Sequence, residues 1–359
     1  MSKYWSNIIK KIEPYVPGEQ PQDKHFIKLN TNENPYPPSE KVIRAIKNAA
    51  NEDLRLYPDP TCNSLKKTVA DYYNLKKEQI FVGNGSDEIL AFSFLAFFNP
   101  GDTIFFPDIT YDFYQVYASL FRINYRKIPL DNNFNIPIEK FYEANDGIII
   151  ANPNSPTGIV IQVDLIENIL KKNPNKIVII DEAYIDFGGE SSINLINKYP
   201  NILIIQSLSK SRSLAGLRIG IALGDKDLIE GISRVKNSIN SYTVDRIALI
   251  AAEEAFKDQK YFEKIRNKII IERDMISRKL RGLGFKVLDS KANFIFISHP
   301  EVHALQLFNE LRENNILVRY FNQPRIDNFL RVSIGTDSDM EYFCSVLKDF
   351  LYNAPSMQK

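Results

Sequence analysis

The sequence predicts an α/β protein, a large unit with a mainly parallel central sheet followed by a smaller α+β unit. Three observations predict it. From about residue 80, short apolar runs alternate with longer helix-like segments. Several runs, among them Ile148-Ile149-Ile150 and Ile177 to Ile180, are apolar at successive positions, as strands covered on both faces should be. After about residue 240 the texture shifts to one long charged amphipathic stretch and then to shorter strand-like runs.

The elements follow in order. The first thirty-odd residues carry Pro14, Pro17, Pro21, Pro35, Pro37 and Pro38 and read as an extended arm. The strand-like runs of the large unit are QIFVGNGSDE, DTIFFPD, DGIIIANPNSPTG, KIVIIDEAYIDF, NILIIQSLSK and LRIGIALG. A helix is expected from Ile89 to Phe98, and a long one from Tyr261 to Leu283, ending at Gly282 or Gly284. Beyond it KVLDS, ANFIFIS, NILVRYF and FLRVSIGT read as strands, with a helix at Val302 to Asn314. The division expected is an arm over 1–35, a large unit over 36–260 and a small unit over 261–359.

Composition narrows the function. Among 359 residues, 44% are hydrophobic and 25% charged, an ordinary globular balance able to bury a large core. A formal net charge of +1 offers no basic field for nucleic acid and no polybasic tail for membranes. No apolar run reaches the roughly 20 residues that span a bilayer, and the N-terminus lacks the apolar run of a signal peptide. Cys62 and Cys344 are too few for a disulfide framework, which points to the cytoplasm. The histidines are His25, His299 and His303. Pro300 after His299 and the lack of an evident third ligand favour solvated surface histidines, so no metal is expected.

In parallel sheets ligands gather beyond the carboxyl ends of the strands, and the polar clusters of this chain fall there. Lys210 ends Ser207-Leu208-Ser209-Lys210, where partial desolvation and nearby cations would ease its deprotonation. A surface lysine would read the same in isolation. The segment also spells S-x-x-K, but S-D-N and K-T-G, its companions in penicillin-binding proteins, occur nowhere. Arg218 eight residues on, with these hydroxyls, makes a phosphate receptor. Gly83-Asn84-Gly85-Ser86-Asp87-Glu88 allows close backbone approach and a helix start with free N–H groups. It lacks the third glycine of a dinucleotide fingerprint. Asp181 closes an apolar strand and needs a cationic or hydrogen-bonding partner at that depth. Tyr184 follows it, and Tyr111 follows another strand, where an aromatic ring stacks on a flat ligand or simply packs in a core.

Taken together, these segments resemble the class I/II aminotransferases, fold type I enzymes that use pyridoxal 5'-phosphate (PLP). The resemblance covers nearly the whole chain. It runs through Pro14 to Pro21, Leu29-Asn30, Asn32 to Pro35, Tyr57-Pro58-Asp59, Gly83 to Glu88, Asn152 to Gly158 and Asp181 to Phe187. It continues in Ser207 to Lys210, Leu214 to Gly220, Ile316 to Phe321 and Leu330 to Thr336.

The resemblance implies that Lys210 is the Schiff-base lysine and proton shuttle, that Asp181 pairs with the pyridine nitrogen and that Tyr184 meets the phenolate oxygen. Tyr111 would stack on the ring. The phosphate would lie among Gly85, Ser86, Asp87, Ser207, Ser209 and Arg218, with Tyr57 reaching that of a neighbouring subunit in a homodimer with shared active sites. Arg319, Arg331, Tyr15 and the Asn32-Glu33-Asn34 segment would face the substrates, a phosphorylated amine and a 2-oxo acid. Two arginines suit that pair, because one guanidinium fork binds carboxylate or phosphate.

Two departures stand out. Ser155 occupies the place where many relatives carry asparagine against the phenolate oxygen, and Arg212 adds a charge expected on the solvated rim. Transamination is the leading expectation. Another small phosphorylated substrate, such as dihydroxyacetone phosphate or serinol phosphate, an aromatic amino acid, or decarboxylation of a phosphorylated amino acid are the other readings.

Overall fold

The computed structural model describes residues 2–21 and 25–353. Met1 and residues 22–24 of the expected arm, and 354–359 of the expected small unit, lie outside the described residues. The strands are β1 (Ile27–Lys28), β2 (Ile80–Asn84), β3 (Thr103–Pro107), β4 (Asn124–Ile128), β5 (Gly147–Ala151), β6 (Ile177–Asp181) and β7 (Ile202–Ser207). They continue with β8 (Ile219–Gly224), β9 (Lys286–Val287), β10 (Phe294–Ser298), β11 (Ile316–Leu317), β12 (Arg319–Tyr320) and β13 (Leu330–Ser333). The helices are α1 (Glu40–Ala49), α2 (Asn63–Tyr73), α3 (Gly85–Phe97), α4 (Phe113–Phe121) and α5 (Val163–Lys172). Then come α6 (Lys226–Ile239), α7 (Arg246–Lys257), α8 (Gln259–Gly282), α9 (Ala304–Glu313) and α10 (Asp337–Asn353).

A seven-stranded sheet in the order β2-β8-β7-β6-β5-β3-β4 forms the larger layer. Only β8 runs against the rest, antiparallel to both β7 and β2. The unbroken apolar runs explain its burial. Ile148, Ile150, Val178, Ile180, Ile202 and Ile204 enter one core cluster, while Ile149, Ile179, Leu203 and Ile205 enter the cluster on the other face. Successive side chains of a strand point to opposite faces, so a sheet with helices on both sides selects apolar residues at both parities.

A second sheet, β12-β13-β10-β9, is antiparallel and packs with α8, α9 and α10 around a third cluster. Leu29 also belongs to that cluster. The N-terminal arm is thereby tied down: β1 pairs in parallel with β11, and Leu29 accepts a hydrogen bond from the Ser333 amide at 2.9 Å.

Three expectations needed revision. Strand β4 was not anticipated, because its first four residues are exposed at the sheet edge and carry no apolar signal. The helix expected from Ile89 begins at Gly85, so the glycine-rich segment is the strand end and the first helical turn. His299 is buried, 5% exposed, with its ring edge-on to Phe285 at 4.9 Å, so it is not the solvated residue expected. His303 caps α9, accepting from the Leu305 amide at 3.2 Å.

Candidate active site

The carboxyl ends of β2, β3, β5, β6 and β7 and the start of β8 meet at one edge of the large sheet. The register shows it, with Asn84 opposite Ile219, Ser207 opposite Gly220 and Ala151 opposite Asp181. There they line a cleft of about 290 Å³ that receives Tyr15, Ser86, Asp87, Tyr111, Ser155, Asp181, Tyr184, Ser207, Ser209, Lys210, Arg218, Arg319 and Arg331.

Lys210 sits in the turn after β7. Its Nζ donates to the Thr31 carbonyl at 3.0 Å. Burial, with the nearby Arg331 charge, lowers its pKa to about 8. A group so placed carries an appreciable neutral fraction near neutral pH and can act as nucleophile or proton carrier.

Asp181 is 6% exposed at the end of β6. It accepts from the Tyr114 hydroxyl at 2.9 Å and from the Ala183 amide at 3.2 Å. Burial raises its pKa to about 6, against the effect of those two donors. No salt bridge joins it to a basic side chain among the described residues. Tyr114 was not singled out from sequence, although it stands only three residues after Tyr111, in the first turn of α4.

The phosphate-receptor segments also converge. Gly85 takes φ +77° at the start of α3. A Cβ on Gly220 would meet the Gly85 and Ser86 backbone at 2.5 Å, so only glycine lets β8 lie against that helix start. First-turn N–H groups of a helix have no intrahelical acceptor. Arg218 pairs with Asp87 at 2.9 Å, and Asp87 accepts from the Tyr111 hydroxyl at 2.8 Å. The Ser207 hydroxyl accepts from the Ser209 amide at 3.3 Å, whereas the buried Ser209 hydroxyl has no hydrogen-bond partner.

Across the cleft, Arg331 of β13 donates to Ser155 Oγ at 3.2 Å and to the Asn30 carbonyl at 3.0 Å, and its Nε is buried without an acceptor. Arg319 donates to the Val16 carbonyl at 3.3 Å. Tyr15 stacks on Phe113 at 4.4 Å and meets Tyr111 edge-on at 6.0 Å.

Two residues, Asn34 and Arg212, are placed otherwise than expected. Asn34 does not face the cleft: its amide donates to the Lys210 and Ser211 carbonyls at 2.9 and 3.4 Å and accepts from the Tyr36 amide. It holds the lysine's backbone rather than a substrate. Ser155 has its hydroxyl on Arg331, and the preceding Asn154 turns away to Ile109 and Thr110 of the loop that carries Tyr111. Arg212 is not solvated. It is buried, donates to the Ala255 carbonyl at 2.6 Å and lies over Phe256 and Phe262 at 4.0 and 4.1 Å. Tyr57 lies outside the cleft of its own chain, 78% exposed and stacked on Tyr242 at 4.5 Å.

The unanswered groups describe PLP well. Asp181 lacks a cation, the Ser209 hydroxyl and helix N–H groups lack an anion, and Lys210 supplies the amine; the residues present fit that cofactor. A fold of two such layers with this cleft defines a PLP-dependent transferase of fold type I. The chain belongs to the aminotransferase class I and II family, whose model matches residues 24–347. It is 60% identical over 351 residues to a histidinol-phosphate aminotransferase of Clostridium botulinum, covering 98% of this chain and 99% of that one. Among solved structures it resembles the histidinol-phosphate aminotransferase of Clostridium acetobutylicum, with a TM-score of 0.84 and 27% identity over 91% of this chain and 99% of that one. It also resembles that of Sinorhizobium meliloti in complex with pyridoxal-5'-phosphate, with a TM-score of 0.89 and 22% identity over 98% of both chains. No described helix is long and apolar enough to cross a membrane.

Proposed function

We propose that this protein is a histidinol-phosphate aminotransferase, converting histidinol phosphate and 2-oxoglutarate to imidazole-acetol phosphate and glutamate with PLP held at Lys210. The observation that carries the reading is 60% identity, over nearly the whole of both chains, to the relative of that name. Two arginines lining the cleft support it, since both substrates carry an anion that one fork can hold in turn.

When bound, the cofactor supplies an electron sink for carbanion character at the substrate carbon. The chain does the rest. Lys210 Nζ holds and moves the proton, aided by a pKa already lowered to about 8. Asp181 would keep a ring nitrogen protonated, and Tyr114 holds Asp181 in place. Tyr184 would donate to the ring oxygen, Tyr111 would cover the ring face, and the backbone of Ser86 and Asp87, with Ser207, Ser209 and Arg218, would hold the cofactor phosphate. Arg331 and Arg319 orient the substrate anion, and Tyr15 excludes water above it.

The exposed Tyr57–Tyr242 pair supports a homodimer in which Tyr57 completes a second copy's phosphate site. The free thiols of Cys62 and Cys344 support a cytoplasmic location. The division at 1–35, 36–260 and 261–359 is supported by the cluster built mainly from residues after 261, which Leu29 of the arm joins; Leu288, Phe296, Ile326 and Phe329 pack instead with the large unit.

The test is spectral. Histidinol phosphate and glutamate should each bleach the visible band of the purified yellow protein, and 2-oxoglutarate should restore it. If glutamate bleaches the band and histidinol phosphate does not, the substrate is wrong and the reaction class stands. Carbon dioxide release from a phosphorylated amino acid would instead mark a decarboxylase.

A further inference from the structure

The segment from Asn30 to Asn34 crosses the cleft and touches its machinery repeatedly. The Asn30 carbonyl accepts from Arg331, the Thr31 carbonyl accepts from Lys210, and the Asn34 amide donates to the Lys210 carbonyl. Asn32 makes the least ordinary contact. It is 1% exposed, takes φ +56°, and its Nδ2 donates to the Tyr184 hydroxyl oxygen at 3.0 Å.

Which way that amide points decides what Tyr184 can do. Ser333 Oγ accepts from the Asn32 backbone N–H at 2.9 Å, and therefore turns its own hydrogen to Asn32 Oδ1, 3.0 Å away. With Oδ1 so occupied, the amide presents Nδ2 to Tyr184. The Asn293 amide fixes the same backbone by donating to the Asn32 carbonyl at 2.9 Å. A reversed amide would accept the Tyr184 hydrogen and take it out of the cleft. In the observed arrangement Tyr184 accepts from Asn32, and no described residue accepts the Tyr184 hydrogen.

We infer that Asn32, oriented by Ser333, is a positioning residue that aims the Tyr184 hydroxyl hydrogen into the cleft as a donor to the bound cofactor. The inference rests on the reading that Tyr184 faces the cofactor oxygen. Its consequence is a polarity relay running from the Asn32 amide through Ser333 and the Asn32 side chain to Tyr184. The small sheet, through β13, thereby sets the hydrogen-bond direction of a residue carried by the large one.

The experiment follows the visible absorbance of the holoenzyme across pH. Losing a donor at an anionic oxygen of the bound chromophore makes it hold its titrating proton more tightly, so the midpoint rises. Tyr184→Phe should raise the midpoint. Asn32→Ala should raise it in the same direction, by about half a pH unit or more, and should add nothing in a Tyr184→Phe background. Ser333→Ala, a milder change at the next bond, should give a smaller shift of the same sign and carries the test if Asn32→Ala does not fold. If Tyr184→Phe moves the midpoint while Asn32→Ala and Ser333→Ala leave it alone, or if their shifts persist without the Tyr184 hydroxyl, the relay is refuted. If Tyr184→Phe itself moves nothing, the placement of Tyr184 fails and the relay fails with it.

Discussion

The floor and the roof of the cleft are built differently. The floor consists of strand ends whose own backbone fixes Asp181 and Ser207 in a sheet buried on both faces, with Lys210 in the turn that follows β7. The roof consists of an irregular strap, Asn30 to Asn34, and Arg331 on a short strand. Asp181 and Ser207 are held by a ladder, whereas the Lys210 backbone and the roof residues are held by side-chain amides and hydroxyls. Two arginines, one buried and one partly buried, make the same point. Arg212 is caged by Phe256 and Phe262 with its donor directed to a main-chain carbonyl, so it joins elements. Arg331 keeps an Nε without an acceptor and faces the cleft, so it is left with capacity to bind. The difference teaches that burial alone does not mark function; a polar group left unanswered where it lines the cleft is free to bind.

The largest expected effect comes from the floor. Lys210→Ala should lower kcat by roughly 10^4-fold or more and abolish the borohydride-sensitive visible band. Turnover near the wild-type rate would remove Lys210 from the mechanism.

Next is Asp181→Asn, expected to lower kcat by roughly 10^2-fold to 10^4-fold, through loss of the ion pair with the ring nitrogen. It also carries a stability prediction with a definite sign. The folded pKa lies above the ordinary value, at about 6, so the folded state holds the proton more tightly. The contribution is fully present below about pH 4 and is lost as pH rises through about 6. Cofactor-free wild type should therefore lose stability relative to Asp181→Asn between those limits in denaturant titrations. Equal pH profiles would show that Asp181 is not strained by burial.

On the roof, Arg331→Lys should raise KM for both substrates by roughly 100-fold, because a point charge cannot replace a fork. Arg319→Lys, at a more open position, should cost about tenfold. Equal effects would erase the distinction between the two. Arg212→Ala should lower stability by about 3 kcal/mol without changing KM in the surviving folded enzyme, read from thermal melts. A KM change with unaltered melting would return Arg212 to the cleft. The smallest effect is Ser155→Ala, where loss of one acceptor for Arg331 should raise KM about fivefold.

Much of the floor was legible because each of its residues follows an apolar strand, and strand ends are marked by hydrophobicity giving way to polarity. Lys210, Asp181 and Ser207 were read in that way, and Arg218 from its place eight residues after Lys210. Tyr114 was overlooked because, inside a helix, it reads as an ordinary core aromatic. Asn34 and Arg212 were placed wrongly because an amide or a guanidinium in a loop carries no sign of whether it faces a cavity, a carbonyl or a ring. Strand β4 buries only Ile128 and so gave no apolar run, since an edge strand can be specified by its partner's backbone.

The sequence by itself determined the layer architecture, the strand ends and the chemistry they carry, since hydrophobic pattern and residue type are local properties. Tertiary structure decided the directions of the hydrogen bonds. Asn32 meets Tyr184, Ser333 meets Asn32, and Arg331 meets Ser155 across separations of 152, 301 and 176 residues. No local pattern encodes such a pairing, because the donor and acceptor are chosen only when packing has brought them together and excluded water.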